Sequence, residues 1–173
     1  MMLKKQLAYF RIEALNLKSI FIMQTLEVLE IKKRFFLDEI SKIKRNFSFI
    51  GLTEHWMGDE SNIVMEDFHL ACSFNRSLKS GGGACIYTKL GINSRPLELE
   101  HLAMEAHFEV CGILVTSISN ASVTPFVMVV VYRPPTGNFD LFIQNCQKLL
   151  NILTKLKYKF LIWGLKRPHA QTI

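Results

Sequence analysis

Glu54 stands in the stretch IGLTEHW, directly after FSFIGL, which reads as a short buried strand. A carboxylate at a strand end sits at the rim of a sheet, where ligands bind in α/β proteins. Magnesium is commonly held there by one or two such carboxylates, with waters and phosphate oxygens completing the shell. The plainer alternative is a solvated loop glutamate. Tyr132 and Arg133 stand at the end of a second apolar run, in VVVYRPPTGN. A phenol can hydrogen-bond a phosphate oxygen, and a guanidinium can bind one with two parallel bonds. The plainer alternative is a Tyr–Arg pair closing a strand edge. Three glycines, Gly81, Gly82 and Gly83, lie in SLKSGGGACIY. No Lys-Ser/Thr follows them and a strand pattern comes next, so the stretch reads as a hairpin turn and not as a phosphate loop. The histidines His55, His69, His101, His107 and His169 include no metal-binding pair.

These residues need elements to hold them. Strand patterns are expected over Ser19–Met23, Phe47–Leu52, Phe68–Asn75, Ala84–Thr88, Ile92–Leu97, Phe108–Ser117, Phe126–Tyr132 and Phe160–Trp163. The run VMVVV suits a strand covered on both faces. Asn138 is a good N-cap, and Phe139, Phe142, Cys146, Leu149, Leu153 and Leu156 follow at helical spacing. Two further helices are expected. One is a short amphipathic helix in the first 17 residues through Leu3, Leu7, Phe10 and Leu15, and the other spans Lys32–Lys44. Many strands with few helices between them predict a sheet-rich α/β layered domain.

The chain has 173 residues, of which 49% are apolar, enough for one domain with a core. No apolar run reaches a membrane span of about 20 residues. The N-terminus lacks the apolar stretch and small-residue cleavage site of a signal peptide, so an intracellular protein, nuclear or cytoplasmic, is expected. Cys72, Cys85, Cys111 and Cys146 have no zinc-type spacing and sit in apolar contexts, which fits reduced core cysteines. The net charge of +6 is uneven. Residues 1–50 carry ten Lys/Arg against five Asp/Glu, residues 51–110 four against nine, and residues 111–173 seven against one. Basic flanks around an acidic middle can hold a polyanion beside a metal-binding centre. Solvated helix faces explain the same pattern without a ligand.

Five stretches in order, FIGLTEHWM, FNRSLKSGGGACIYTK, HFEVCGILV, VVYRPPTGNFDLF and KFLIWG, resemble the endonuclease/exonuclease/phosphatase superfamily. The nearest resemblance is to the apurinic-type endonuclease domain of insect non-LTR retrotransposons, running from about Ile20 to Gly164. It implies a four-layer α/β sandwich of the DNase I-like type, and Mg²⁺-dependent hydrolysis of a DNA phosphodiester. Glu54 matches the family's metal-binding glutamate and Tyr132 its phosphate-contacting tyrosine. Arg133 matches a common companion at the substrate phosphate.

The chain also departs from that pattern. The family's strand matching Phe160–Trp163 ends in Gly-Asp-Phe/Trp-Asn, whose Asp and Asn position the attacking water and the phosphate. Here Gly164 is followed by Leu165, Lys166 and Arg167. No asparagine stands near Ile22 or Met23, where the family has one. The family's Ser-Asp-His segment would lie beyond Ile173. The expected organisation is an N-terminal extension over 1–18, a partial endonuclease domain over 19–164 and an aberrant tail over 165–173, as a decayed or frameshifted copy would leave. The expectation is an incomplete fold, catalytically inactive, with weak or absent Mg²⁺ binding, weak salt-sensitive DNA contact and no membrane contact. Two alternatives remain: a non-catalytic module that binds nucleic acid or protein, and an active nuclease or phosphatase with substitute residues. Asp59, Glu105 or Glu109 would be the second carboxylate that the active alternative needs.

Overall fold

The strand Phe126–Tyr132 is buried at every position, as its β-branched composition requires. Its alternating side chains serve two cores. Phe126, Met128 and Val130 face one apolar layer, and Val127, Val129 and Val131 face another. The computed structural model of the chain describes residues 8–11, 20–25, 47–55, 64–77, 81–119 and 121–164. Numbered in chain order, its strands are β1 (Ala8–Arg11), β2 (Ile20–Thr25), β3 (Phe47–Thr53), β4 (Phe68–Phe74), β5 (Ala84–Lys89), β6 (Ile92–Pro96), β7 (Glu109–Ile118), β8 (Phe126–Tyr132) and β9 (Lys159–Trp163). One α-helix, α1 (Phe139–Lys155), is present among the described residues.

The strands form two sheets, in the orders β1-β2-β3-β5-β4 and β6-β7-β8-β9. In the first sheet β3 lies parallel to β2 and antiparallel to β5. In the second, β8 lies antiparallel to β7 and parallel to β9. The crossover that the parallel pair needs is α1. Phe49, Ala84 and Ile86 of the first sheet pack against Cys111, Ile113, Val115, Phe126, Met128, Val130 and Trp163 of the second. Phe49 and Phe126 meet edge to face, with centroids 6.0 Å apart. This is a mixed α/β sandwich, in keeping with part of a DNase I-like fold.

The helix begins where its sequence says it should. The Asn138 side-chain oxygen accepts from the Leu141 amide at 3.0 Å, and Asp140 and Lys155 suit the two ends of the helix dipole. Phe142, Leu149 and Leu153 pack on the outer face of the second sheet. The outer face of the first sheet carries its own buried set, Ile50, Leu52, Cys85 and Tyr87 with Met65. The helix expected over 32–44 lies outside the described residues.

Two differences from the sequence reading are physical. Residues 8–11 form a strand, pairing Ala8 with Met23 and Arg11 with Ile20, where a helix was expected. An isolated short helix is marginal in water, and pairing to a sheet edge overrides the helical spacing of Leu7 and Phe10. β4 also carries a register shift between Leu70 and Cys72. Before it, Phe68 and Leu70 face the outer core; after it, Cys72 and Phe74 face the layer between the sheets. One extra residue reverses the side-chain parity, as a bulge does.

Gly164 ends β9 with φ +98, and a Cβ there would run into the Val131 carbonyl oxygen. Gly164→Ala is therefore expected to lower stability by about 1–3 kcal/mol. A urea midpoint shifted down at unchanged slope checks this.

Candidate functional site

The C-terminal end of β3, the start of β5 and the end of β4 meet at one end of the first sheet, where Thr53 pairs with Ala84 and Ala84 with Phe74. Glu54 follows β3 directly. Its backbone is left-handed, with φ 55, and its amide donates to the Gly83 carbonyl at 2.9 Å. A non-glycine residue in that region costs energy and persists only where its surroundings impose it, and Asp67, Ala106 and Lys157 share it, so the strain alone does not mark a site. The Glu54 side chain is half-buried.

Beneath the glycine turn lies His55, 1% exposed, with Nε2 placed 3.3 Å from the Phe74 carbonyl. Gly83 has φ +92, and a Cβ on it would strike the His55 ring. The glycine is thus required by both the backbone and the imidazole below it. Burial drives the His55 pKa down to about 4, and carbonyl contacts at Phe74 and Ala84 offset only part of that.

Glu109, at the start of β7, links this corner to the second sheet. Its side chain is fully buried and fully engaged. Oε1 accepts from Arg76 Nε at 2.6 Å and from the Ala106 amide at 3.1 Å, and Oε2 accepts from the Gly83 amide at 2.6 Å. The Arg76 Nη2 lies 2.6 Å from the same oxygen, so two guanidinium nitrogens close on Oε1. One carboxylate therefore fastens the end of β4, the glycine turn and the loop before β7.

Tyr132 pairs with Glu109 across β7 and β8. Glu54, Gly83, Glu109 and Tyr132 thus form a connected series at one end of both sheets. Tyr132 is 2% exposed, so its phenol lies below the surface. Arg133 donates to the Gly137 carbonyl at 3.0 Å and stacks 5.7 Å from the Phe139 ring centroid, which staples the PPTG turn.

Of the substitute carboxylates, Glu109 is committed to Arg76 and two amides, and Glu105 accepts from the Ser77 amide and hydroxyl at 3.3 Å each. Asp59 and residues 165–173 lie outside the described residues. Among the described residues no three His, Cys, Asp or Glu side chains converge as a metal site. Among the described residues Glu54 would bring one carboxylate to a Mg²⁺ ion, and waters and phosphate oxygens would have to complete the octahedral shell.

Sequence reasoning missed Arg76 and His55. Arg76 precedes the glycine turn closely, but its partner is 33 positions away and no local spacing joins them. His55 lies next to Glu54, and only burial distinguishes it from an exposed histidine.

No family model matches the chain, and no curated protein matches it. Among solved structures, the endonuclease domain of TRAS1, a telomere-specific non-LTR retrotransposon, is similar with a TM-score of 0.58 at 9% sequence identity. The similarity covers 83% of this chain and 57% of that one. At this identity the likeness is one of architecture: the chain has, in part, the DNase I-like fold of a non-LTR retrotransposon endonuclease domain, and spans a little over half the length of that relative.

Proposed function

We propose that residues 19–164 are a partial endonuclease-fold domain, and that the chain contacts DNA weakly and does not cleave it. The observation that carries this reading is the meeting of the Glu54 turn and the end of β8 at one corner, fastened through Glu109. In this reading Glu54 would be the carboxylate offered to a Mg²⁺ ion, and Tyr132, whose phenol lies below the surface, would meet a phosphate oxygen only where one enters that corner. Arg133 has five N–H donors, of which one goes to Gly137, so others remain for a phosphate. Mg²⁺, when bound, would polarise the phosphate, and a single carboxylate would leave most of its shell to waters and phosphate oxygens.

Cleavage also requires a group that takes a proton from water. The family has an aspartate after the glycine of the matching strand. Here Leu165 has no basic atom, and Lys166 is charged at neutral pH. General-base catalysis is typically worth about 10²–10⁴-fold. The basic pair Lys166 and Arg167 favours a DNA backbone instead, which makes the contact sensitive to salt. An intracellular setting goes with this reading. Among the described residues no helix is long and apolar enough to cross a membrane.

The test combines two assays on the purified chain. Supercoiled plasmid with Mg²⁺ or Mn²⁺ should stay un-nicked above background, both for the native chain and for Glu54→Ala. Binding to a short duplex, read by anisotropy, should weaken steeply as salt rises. Nicking by the native chain that vanishes in Glu54→Ala would overturn the inactivity, and an absence of binding at low salt would overturn the DNA contact.

A further inference from the structure

Cys72 and Cys111 belong to different sheets, yet their thiols share one apolar layer. Cys111 is 5% exposed in the core between the sheets, and half-buried Cys72 packs against the same cluster. The β4 bulge is what turns Cys72 inward, since without it the parity of Phe68 and Leu70 would place it on the outer face. β4 and β7 approach to within 8 Å between Cα atoms, and both cysteines border the same apolar cluster between the sheets. The other two cysteines face elsewhere. Cys85 lies on the outer face of the first sheet with Ile50 and Tyr87, and Cys146 lies on α1 beyond the second sheet. All four are free thiols, and among the described residues they form no metal site.

We propose that Cys72 and Cys111 are a redox pair, which closes to a disulfide between the two sheets on reaction with a small disulfide oxidant such as oxidised glutathione. The half-buried Cys72 reacts first. Its thiolate attacks one glutathione sulfur, forms a mixed disulfide and releases one glutathione, which takes up the proton. Cys111 then loses its proton and attacks the Cys72 sulfur, and the second glutathione leaves with that proton. Two protein thiols are oxidised by two electrons, and one oxidised glutathione is reduced to two thiols. Burial raises the Cys111 thiol pKa, so the second step is the slow one and quickens with rising pH. A disulfide needs Cα atoms about 4.4–6.8 Å apart. Closure therefore ties β4 to β7 two residues beyond Glu109 and four before Arg76. The proposal is independent of DNA binding.

The experiment incubates the native chain with oxidised glutathione and blocks remaining thiols with N-ethylmaleimide. The unreduced chain is then digested with trypsin and chymotrypsin for mass spectrometry. A peptide pair joining Cys72 to Cys111 is expected, removed by dithiothreitol and formed faster at pH 8.5 than at pH 7. Cys85→Ser and Cys146→Ser should keep it, and Cys72→Ser should lose it while staying folded, because its site is half-exposed. Glutathione adducts alone, bridges to Cys85 or Cys146, bridges between chains, or no modification at all would each overturn the proposal.

Discussion

Arg76→Ala is expected to destabilise the chain by about 3–5 kcal/mol, because it strands a buried carboxylate without its charge partner. Glu109 has no exposed side-chain surface, and the amides of Gly83 and Ala106 cannot neutralise it. Domains are stable by only about 5–15 kcal/mol, so the loss is a large share of the whole. Arg76→Met combined with Glu109→Gln removes both charges and should cost clearly less than Arg76→Ala alone. Chemical denaturation of the native chain, Arg76→Ala, Arg76→Met, Glu109→Gln and the double variant gives the comparison. A double variant no more stable than Arg76→Ala would show that the ion pair is not the source of the loss.

Acid should weaken the fold through His55. Unfolded, the imidazole takes a proton near its ordinary value of 6.5; in the fold it waits until about pH 4. Between those values the unfolded state binds more protons, so stability falls as pH falls and is untouched above pH 6.5. At about 1.4 kcal/mol per pKa unit, the loss is about 2 kcal/mol at pH 5 and about 3 kcal/mol by pH 4. Denaturation at pH 7 and pH 5 reads this before most carboxylates titrate. In His55→Gln, whatever its stability at pH 7, the extra loss at pH 5 should disappear. An unchanged pH dependence in that variant would assign the acid sensitivity to other groups.

Much of this was legible because the deciding interactions are local. The run FVMVVVY announces a strand covered on both faces, and Asn138 with its spaced apolar followers announces α1 almost to the residue. The hairpin around Gly81–Gly83 follows from turn chemistry. The strand at residues 8–11 is not legible, because their apolar spacing is helical, while the pairing that makes them a strand lies in β2. The inward turn of Cys72 was hidden by the bulge, which leaves no mark in composition. Glu54 and Tyr132 were found as strand-end residues, and the structure places both at one end of the sandwich. What binds that end together was not legible. Glu109 was weighed as a substitute metal ligand, yet it serves as the acceptor for Arg76, and a charge pair across two sheets has no sequence period. The sequence likewise shows no difference between a buried His55 and a solvated one.

The central position of β8 has a consequence for how the chain is made. Synthesis runs from the N-terminus, so β7 is available to pair before β8 emerges, but β9 follows about 30 residues later. Until then one edge of β8 is open, and the side chains that α1 will cover are bare. An uncharged, proline-free, β-branched segment of this length has the signature of self-association through strand edges. The interval between the appearance of Tyr132 and that of Trp163 is therefore when a nascent chain most needs a chaperone. Conditions that slow the formation of α1 should lower the soluble yield more than they lower the stability of chains already folded.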